Sequence, residues 1–244
     1  MGGAPGSGAA GAAGGYLEAT LEALDIDASA GQRDALRRYL GELELWNRKR
    51  DLVKAEGAAL ITRHLADSLA ALPIVRRELA HANGGTLTDL GSGGGFPGIP
   101  LSVFLPETAV VLVERSLGKC AFLRSAAAVA GLGHVRVVNA DFRDLAAGST
   151  AATAATAATA ATAAPAVITF RALSEIDRAF AGVLARLAGP GGSIVAYKGR
   201  RARAEPEAEA GRAVFDEVEL IPLEVPGPAE ERTLLVFRLS AESA

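Results

Sequence analysis

The sequence predicts an α/β fold in which helices cover a doubly wound, mostly parallel sheet of seven strands. Three observations predict it. From residue 86 onward, short apolar segments alternate with helical patterns. A glycine-rich turn follows the first of these segments. The last two apolar segments have no helical pattern recognised between them, which indicates a closing β-pair.

Two helical patterns precede the sheet. Apolar residues at helical spacing define the first, namely Leu36, Tyr39, Leu40, Leu43 and Trp46. The second begins at Leu60 and ends near Pro73. The register of Tyr39 and Trp46 favours core packing over a role as base-stacking platforms. We therefore expect one domain over 16–244, with a helical part over 16–85 and an α/β core over 86–244.

The elements of the α/β core follow in order. We predict strands over 86–90, 109–114, 135–139, 167–170, 193–197, 214–225 and 233–239. We predict helices over 98–104, 117–130 and 176–187. The second strand is apolar throughout, which is typical of burial on both faces. The last two strands are joined by a hairpin-like turn at 226–228.

Two segments have compositions that cannot build a core. Residues 1–15 are almost entirely Gly and Ala, and we expect a disordered tail. A threonine-alanine repeat over 149–164 has a period of three, which matches neither a strand nor a helix face. We expect it to form a flexible surface insert.

Composition also limits the classes of function. Cys120 is the single cysteine, which excludes an internal disulfide and agrees with a reducing cytoplasm. No run of 18 strongly apolar residues or signal-peptide pattern is recognised, so we expect a cytoplasmic protein without a membrane anchor. The three histidines and the cysteine lack metal-ligand spacing, and we expect no metal. The sequence does not specify an oligomeric state; we expect a monomer.

Charge is unevenly distributed along the chain. Residues 33–77 carry ten Lys or Arg against six acids, whereas 205–244 carry three against ten. A short basic cluster just before the acidic region contains Lys198, Arg200, Arg201 and Arg203. A polyanion could bind the basic parts. On charge alone we prefer solvated faces to such a partner.

The glycine-rich turn extends from Asp89 to Gly98 and suits a cofactor cradle, with Gly91 and Gly93 allowing close backbone approach. From Gly93 onward the spacing also fits the dinucleotide fingerprint, so a nicotinamide or flavin enzyme stays possible. Asp89 favours S-adenosylmethionine instead, because that cofactor carries a sulfonium and an ammonium.

Acidic residues after the next two strands fit the same cofactor. Glu114 is placed to accept the ribose hydroxyls, although dinucleotide enzymes use the same acid. Asp141 and Phe142 can hold an adenine by hydrogen bonding and stacking. We therefore prefer an S-adenosylmethionine-dependent methyltransferase, with a nicotinamide-dependent oxidoreductase as the alternative. A methyltransferase fold that only binds nucleic acid ranks last.

Six stretches carry a family resemblance: 45–48 (LWNR), 63–68 (RHLADS), 89–101 (DLGSGGGFPGIPL), 116–119 (SLGK), 171–172 (RA) and 197–199 (YKG). With them the chain resembles the small-subunit ribosomal RNA guanine-N7 methyltransferase G family, also called glucose-inhibited division protein B. The resemblance implies a Rossmann-like class I methyltransferase fold and methylation of one guanine N7 in small-subunit (16S) ribosomal RNA or the 30S subunit. It also implies cofactor contacts from Gly91, Phe96, Phe142, Arg143 and Arg171.

The expected chemistry needs no general base, because guanine N7 attacks through its lone pair and carries no proton that must be removed. Catalysis is then alignment, and Arg171, just after the fourth strand, is our candidate positioning residue. His64 and Asp67 share a helix face, and for His64 we favour a structural role. Residues expected to contact the RNA backbone are Arg63, Lys119, Arg124, Lys198, Arg200 and Arg201.

Overall fold

Seven strands form one sheet in the order β3-β2-β1-β4-β5-β7-β6. The computed structural model describes residues 7–82, 85–147, 167–227 and 230–242, and the side chains from 15 onward within these ranges. The strands are β1 Thr86–Leu90, β2 Ala109–Glu114, β3 Val135–Asn139, β4 Val167–Arg171, β5 Ser193–Lys198, β6 Glu217–Pro222 and β7 Thr233–Arg238. Strands β1 to β5 are parallel, and β7 is antiparallel to both neighbours.

The chain order reverses between β1 and β4, which are hydrogen-bonded neighbours. Such a switch point opens a crevice beyond the carboxyl ends of the strands, where ligands of doubly wound sheets bind. The predicted fold class is confirmed, and the first three strands have the predicted bounds.

Helices lie before and between the strands. They are α1 Ser7–Ala23, α2 Ala30–Arg50, α3 Ala58–Leu60, α4 Ala66–Ala70, α5 Leu72–His81, α6 Gly98–Val103, α7 Leu117–Val129, α8 Phe142–Ala146, α9 Arg178–Ala188 and α10 Arg201–Arg212. A π-helical turn, Ile61–Leu65, joins α3 to α4. Ser29 begins α2 with a capping box formed with Gln32, and Asp51 ends it in the left-handed conformation.

Two helices differ from the sequence-based expectations. Helix α1 begins at Ser7, within the segment expected to be a disordered tail; residues 1–6 lie outside the described part of the chain, as does the predicted insert over 149–164. Alanine favours helix, and the helix is fixed at its far end by the buried Leu17 and Leu21.

The second is α10, a helix between β5 and β6 that was not predicted from the sequence. Its buried face is made of small residues, Ala204, Ala208 and Gly211, together with Glu207. A side chain at Gly211 would clash with the ring of Phe237 on β7. Because large apolar residues are absent from that face, the usual helical pattern is missing. Strand β6 is also shorter than the predicted strand over 214–225.

The core has one part on each face of the sheet. On one face, α2 and the 58–81 helices pack on the sheet through Leu36, Tyr39, Leu65 and Leu69, all fully buried. Tyr39 is a core residue as predicted; Trp46 is partly buried and packs edge-on against Phe122. On the other face, the fully buried residues include Phe170, Leu184 and Phe237.

The run Ala58–His81 is apolar and long enough to cross a membrane, by length and composition only. No run of this length was expected from the sequence. Many of its apolar side chains are buried in the core, including Leu65, Leu69 and Val75, as in the core helix of a globular domain. The run also carries candidate site residues, because Arg63 and His64 lie in its π-helical turn and Asp67 lies in α4.

Candidate active site

The glycine turn after β1 is held by hydrogen bonds on every side. The amides of Gly91 and Ser92 both donate to the carbonyl of Val113 on β2, at 2.8 and 3.1 Å. The amide of Gly93 donates to Glu114 Oε2 at 3.1 Å, and the hydroxyl of Tyr39 donates to the carbonyl of Gly94 at 2.7 Å. The turn is therefore preorganised by the two elements that flank it.

Two glycines are required by close approach. Gly91 has φ of +67°, and a Cβ there would lie 2.6 Å from Cδ1 of Leu173. At Gly98 a Cβ would lie 2.8 Å from Asp89 Oδ2 and would clash with Leu112. The backbone alone fits at these positions, which leaves the exposed edge at Gly91 open to a ligand.

Asp89 lies beneath the turn and is 0% exposed. Its carboxylate accepts hydrogen bonds from the amide of Gly98 at 3.3 Å and from the hydroxyl of Thr169 at 3.4 Å. Burial raises its pKa to about 7, against the lowering effect of these donors. The carboxylate therefore contacts the turn and holds it in shape, and its expected attraction to a cationic cofactor stays a prediction.

Glu114, at the carboxyl end of β2, lies beside the turn as predicted. Its two oxygens accept one backbone hydrogen bond each, Oε2 from Gly93 and Oε1 from Ser116 at 2.8 Å. A carboxylate accepts about four hydrogen bonds, so acceptor capacity remains for two hydroxyl groups. This donor set and the open edge at Gly91 fit the ribose of a nucleoside cofactor.

The segment after β3 differs from expectation in one respect. Asp141 begins α8 and accepts from the amide of Arg143 at 3.0 Å. The ring of Phe142 is buried, with its centroid 5.6 Å from that of Phe180, and the guanidinium of Arg143 lies 4.9 Å from it. The ring is therefore not the open stacking platform expected from the sequence, and its contact with an adenine stays a prediction.

Arg171 ends β4 and connects the turn to the helices above it. Its guanidinium lies 5.4 Å from the ring centroid of Phe96, a residue of the turn. One nitrogen donates to His64 Nδ1 at 2.8 Å, and another is 3.6 Å from Asp67 Oδ2. The next residue, Ala172, has φ of +53°, a strained conformation that is found preferentially at functional sites.

His64 is neutral in this arrangement. Burial, together with the positive charges of Arg171, Arg63 and Arg232, lowers its pKa to about 4. Because a guanidinium can only donate, Nδ1 of His64 must accept, which places the ring proton on Nε2. His64 therefore orients Arg171, in agreement with the structural role favoured from the sequence.

A cavity of about 960 Å³ opens beside Arg171, at the carboxyl ends of β4 and β5. Its polar wall includes Arg63, Asp67, Arg171, Lys198, Glu207 and Arg232. Glu114 and Asp141 are not part of it. The cavity is thus not the cofactor edge predicted from the glycine turn but a second compartment. The two adjoin at Arg171 and at Leu173, which lines the cavity and contacts Gly91.

Asp67 is the buried carboxylate of the cavity nearest to Arg171. Nε of Arg232 donates to both of its oxygens, at 3.1 and 3.3 Å. Burial raises the pKa of Asp67, and the charges of Arg232 and Arg171 offset only part of that effect. The sequence indicated Asp67 through its place in the 63–68 stretch, whereas Arg232 lies in an acidic region without any local signal.

Comparison with known proteins now decides the family. The family model for rRNA small subunit methyltransferase G matches residues 32–235. The chain belongs to this family. The ribosomal RNA small subunit methyltransferase G of Treponema pallidum is 37% identical over 83% of each chain, and that of Xanthomonas euvesicatoria is 37% identical over 91% of this chain and 93% of its own.

A solved structure agrees on the fold. A predicted O-methyltransferase from Agrobacterium tumefaciens has a TM-score of 0.52 and 20% identity, covering 71% of this chain and 79% of its own. Family membership confirms the predicted activity, an S-adenosylmethionine-dependent methyltransferase acting on ribosomal RNA. The nicotinamide alternative receives no support.

Five of the six cations predicted to contact RNA in this methyltransferase have side chains that reach solvent. Arg63, Arg124, Arg200 and Arg201 are exposed and Lys119 is half-buried. Lys198 is different, because its ammonium pairs with Glu207 and donates to the carbonyl of Ser174. With its side chain only 13% exposed and its charge already paired, Lys198 no longer supports a phosphate contact.

Within the ranges that the structure describes, no group of three His, Cys, Asp or Glu side chains could hold a metal ion. Cys120 is fully buried, and its thiol donates to the carbonyl of Glu114 at 3.1 Å, so it serves as a packing residue.

Proposed function

We propose that this methyltransferase modifies N7 of one guanine in small-subunit ribosomal RNA, by in-line transfer without a general base. The observation that carries the proposal is the contact between the two compartments at Arg171. One compartment has the features of a nucleoside-cofactor edge, and the other is a polar cavity large enough for a nucleotide.

Different residues of the chain bind different parts of the cofactor. We assign the ribose hydroxyls to Glu114 and the close backbone contacts to Gly91 and Gly93. The adenine meets the backbone and the Arg143 side chain at the start of α8 rather than the face of Phe142. When bound, the cofactor supplies an electrophilic methyl carbon on a sulfonium.

No residue of the cavity has to take a proton. Guanine N7 attacks with a free lone pair, so the required contributions are orientation and exclusion of water. Arg171 is fixed for this purpose by His64, Asp67 and the ring of Phe96. Because the pKa of His64 is about 4, its protonation plays no part in a reaction at neutral pH.

RNA reaches the cavity along its basic rim. Arg63 lines the cavity, and Arg200 and Arg201 lie at or just before the start of α10, which also lines it. Lys119 and Arg124 lie apart from the cavity lining, on α7. We assign the backbone phosphates to these side chains, whose contribution is independent of sequence. We also expect the protein to act as a cytoplasmic monomer.

Transfer of a tritiated methyl group to 30S subunits and to naked 16S RNA tests the proposal, followed by mapping of the modified base. We expect 7-methylguanosine at a single position, and the comparison of substrates shows which form is modified. Label at another atom, or no label on either substrate, would contradict it. Calorimetric titration with S-adenosylhomocysteine and with NAD provides the control for cofactor class.

A further inference from the structure

We propose that Arg171 and Asp67 together recognise the Watson–Crick edge of the target guanine, and that Asp67 is the residue that specifies guanine. The inference rests on the proposed function and deepens it. It assigns the cavity to the target base and gives its two central polar residues separate tasks.

The hydrogen-bonding groups of Arg171 and Asp67 are complementary to the Watson–Crick edge of guanine. The guanine edge presents an acceptor at O6, then a donor at N1 and a donor at the 2-amino group. Arg171 offers only donors, and ionised Asp67, 3.6 Å away, offers only acceptors. The pair therefore presents to the base the same order that cytosine presents. Adenine has a donor at N6 and an acceptor at N1. In the same orientation its donor would face the donors of Arg171, and its acceptor would face the acceptors of Asp67.

The same orientation brings N7 to the cofactor side. O6 and N7 are neighbours on the guanine ring system, whereas the 2-amino group lies at the other end of the paired edge. Arg171 lies against Phe96 of the glycine turn, whereas the hydrogen-bond partner of Asp67 is Arg232 on β7. A guanine with O6 at Arg171 therefore directs N7 toward the turn and leaves it unbonded, as the reaction requires.

Asp67 retains the capacity for this contact. Its short hydrogen bonds come from one nitrogen of Arg232, which divides its proton between both oxygens. Arg171, at 3.6 Å, is an ion-pair partner rather than a close donor. Acceptor sites for two donors of a base therefore remain on this carboxylate.

Glu207 is the competing buried carboxylate in the cavity wall. One of its oxygens accepts from the amide of Ile176 at 2.7 Å and also pairs with Lys198. These contacts fix it to β5 and to the segment that precedes α9. It serves as the matched control for Asp67.

The test compares target RNAs that differ by one group. The mapped guanosine in 16S RNA is replaced by splinted ligation with inosine, which lacks the 2-amino group, or with 7-deazaguanosine, which lacks N7. For the wild-type protein we expect kcat/KM for inosine RNA to be about 10- to 100-fold below that for guanosine RNA, the loss of a hydrogen bond to a charged group. We expect no transfer to 7-deazaguanosine.

The same two RNAs are then compared with the variants Asp67→Asn and Glu207→Gln, so that each protein change is paired with each RNA change. Asp67→Asn should slow methylation of guanosine RNA while the guanosine-to-inosine ratio falls to within about 3-fold of unity, which corresponds to less than 1 kcal/mol. Glu207→Gln should keep the wild-type ratio. Titration of Asp67→Asn with S-adenosylhomocysteine should give the wild-type affinity, because the cofactor edge does not include Asp67.

The outcomes separate the two proposals. Equal rates of the wild type on guanosine and inosine RNA, with methylation at N7, would overturn the inference and leave the proposed function standing. The inference would also be overturned if the guanosine-to-inosine ratio of kcat/KM fell toward unity in Glu207→Gln but not in Asp67→Asn. Equal slowing of methylation of both RNAs by Asp67→Asn would overturn it too. Methylation of 7-deazaguanosine RNA would overturn the proposed function as well. The wild-type arm needs no variant to fold.

Discussion

The glycine turn and the cavity beside it are built by different means. The turn is one continuous segment, 89–98, fixed by backbone hydrogen bonds and by the absence of side chains at Gly91 and Gly98. The cavity takes its walls from residues of the π-helical turn, β4, β5, α10 and β7 and is lined by charged groups of both signs. The cofactor side is thus shaped by steric contacts within one short segment. The proposed target side is shaped by charged groups that are far apart in the sequence.

The largest effect should come from the turn. Gly98→Ala places a methyl group against Asp89 and Leu112, so we expect loss of at least ~10-fold in S-adenosylhomocysteine affinity and about 1–3 kcal/mol of unfolding free energy. Calorimetry and urea denaturation measure these. Gly41→Ala, at an exposed position of α2, is the matched control, because a Cβ there meets nothing within 4 Å. Wild-type affinity for Gly98→Ala would contradict a steric basis for the turn.

The second-largest effect should come from Arg171→Lys, because Arg171 lies where the turn and the cavity meet. Lysine keeps the charge but cannot contact His64, Asp67 and Phe96 at once, so we expect kcat/KM for methyl transfer to fall about 10- to 100-fold. Arg178→Lys, on the exposed start of α9, should leave the rate unchanged. Full activity of Arg171→Lys would remove the geometric role of the guanidinium.

The two regions should also respond oppositely to pH. Asp89 has a pKa raised to about 7, so its protonated form is favoured in the fold and its effect lowers the unfolding free energy as pH rises from about 4 to 7. His64 has a pKa lowered to about 4, so its effect lowers the unfolding free energy as pH falls from about 6.5 to 4. In the wild type the two partly cancel.

Asp89→Asn removes the first of these effects. Relative to the wild type, we expect its unfolding free energy to rise between pH 5 and pH 8 by on the order of 2 kcal/mol, measured from urea midpoints. His64→Gln should change the pH dependence in the other direction. Parallel curves for Asp89→Asn and wild type would show that Asp89 is already ionised at pH 5.

The smallest effect concerns the cations at the rim. Arg200→Ala should reduce the slope of log K against log salt for 16S RNA binding by roughly 0.7 to 0.9, the value for one phosphate contact. Lys198→Ala should leave the slope unchanged, because Glu207 already pairs with its ammonium. A reduced slope for Lys198→Ala would mean that this ion pair opens when RNA binds.

Local patterns predicted much of the fold. Strands β1 to β3 had their bounds predicted to the residue, because each is a compact apolar segment between turns. Helix α10 was missed, since small residues and Glu207 form the face that packs on the sheet. Periodicity detects large apolar side chains, and a helix that packs closely through alanine and glycine does not carry that signal.

The sequence by itself determined the fold class, the glycine turn and the position of Glu114, because each depends on residues that are neighbours along the chain. The tertiary structure decided the rest. It placed the carboxylate of Asp89 under the turn, the ring of Phe142 in the core and the ammonium of Lys198 against Glu207. It also brought Arg232 to Asp67, 165 residues away. The glycine turn follows from backbone sterics within one short segment, whereas burial and ion pairing depend on which distant residues the fold brings together.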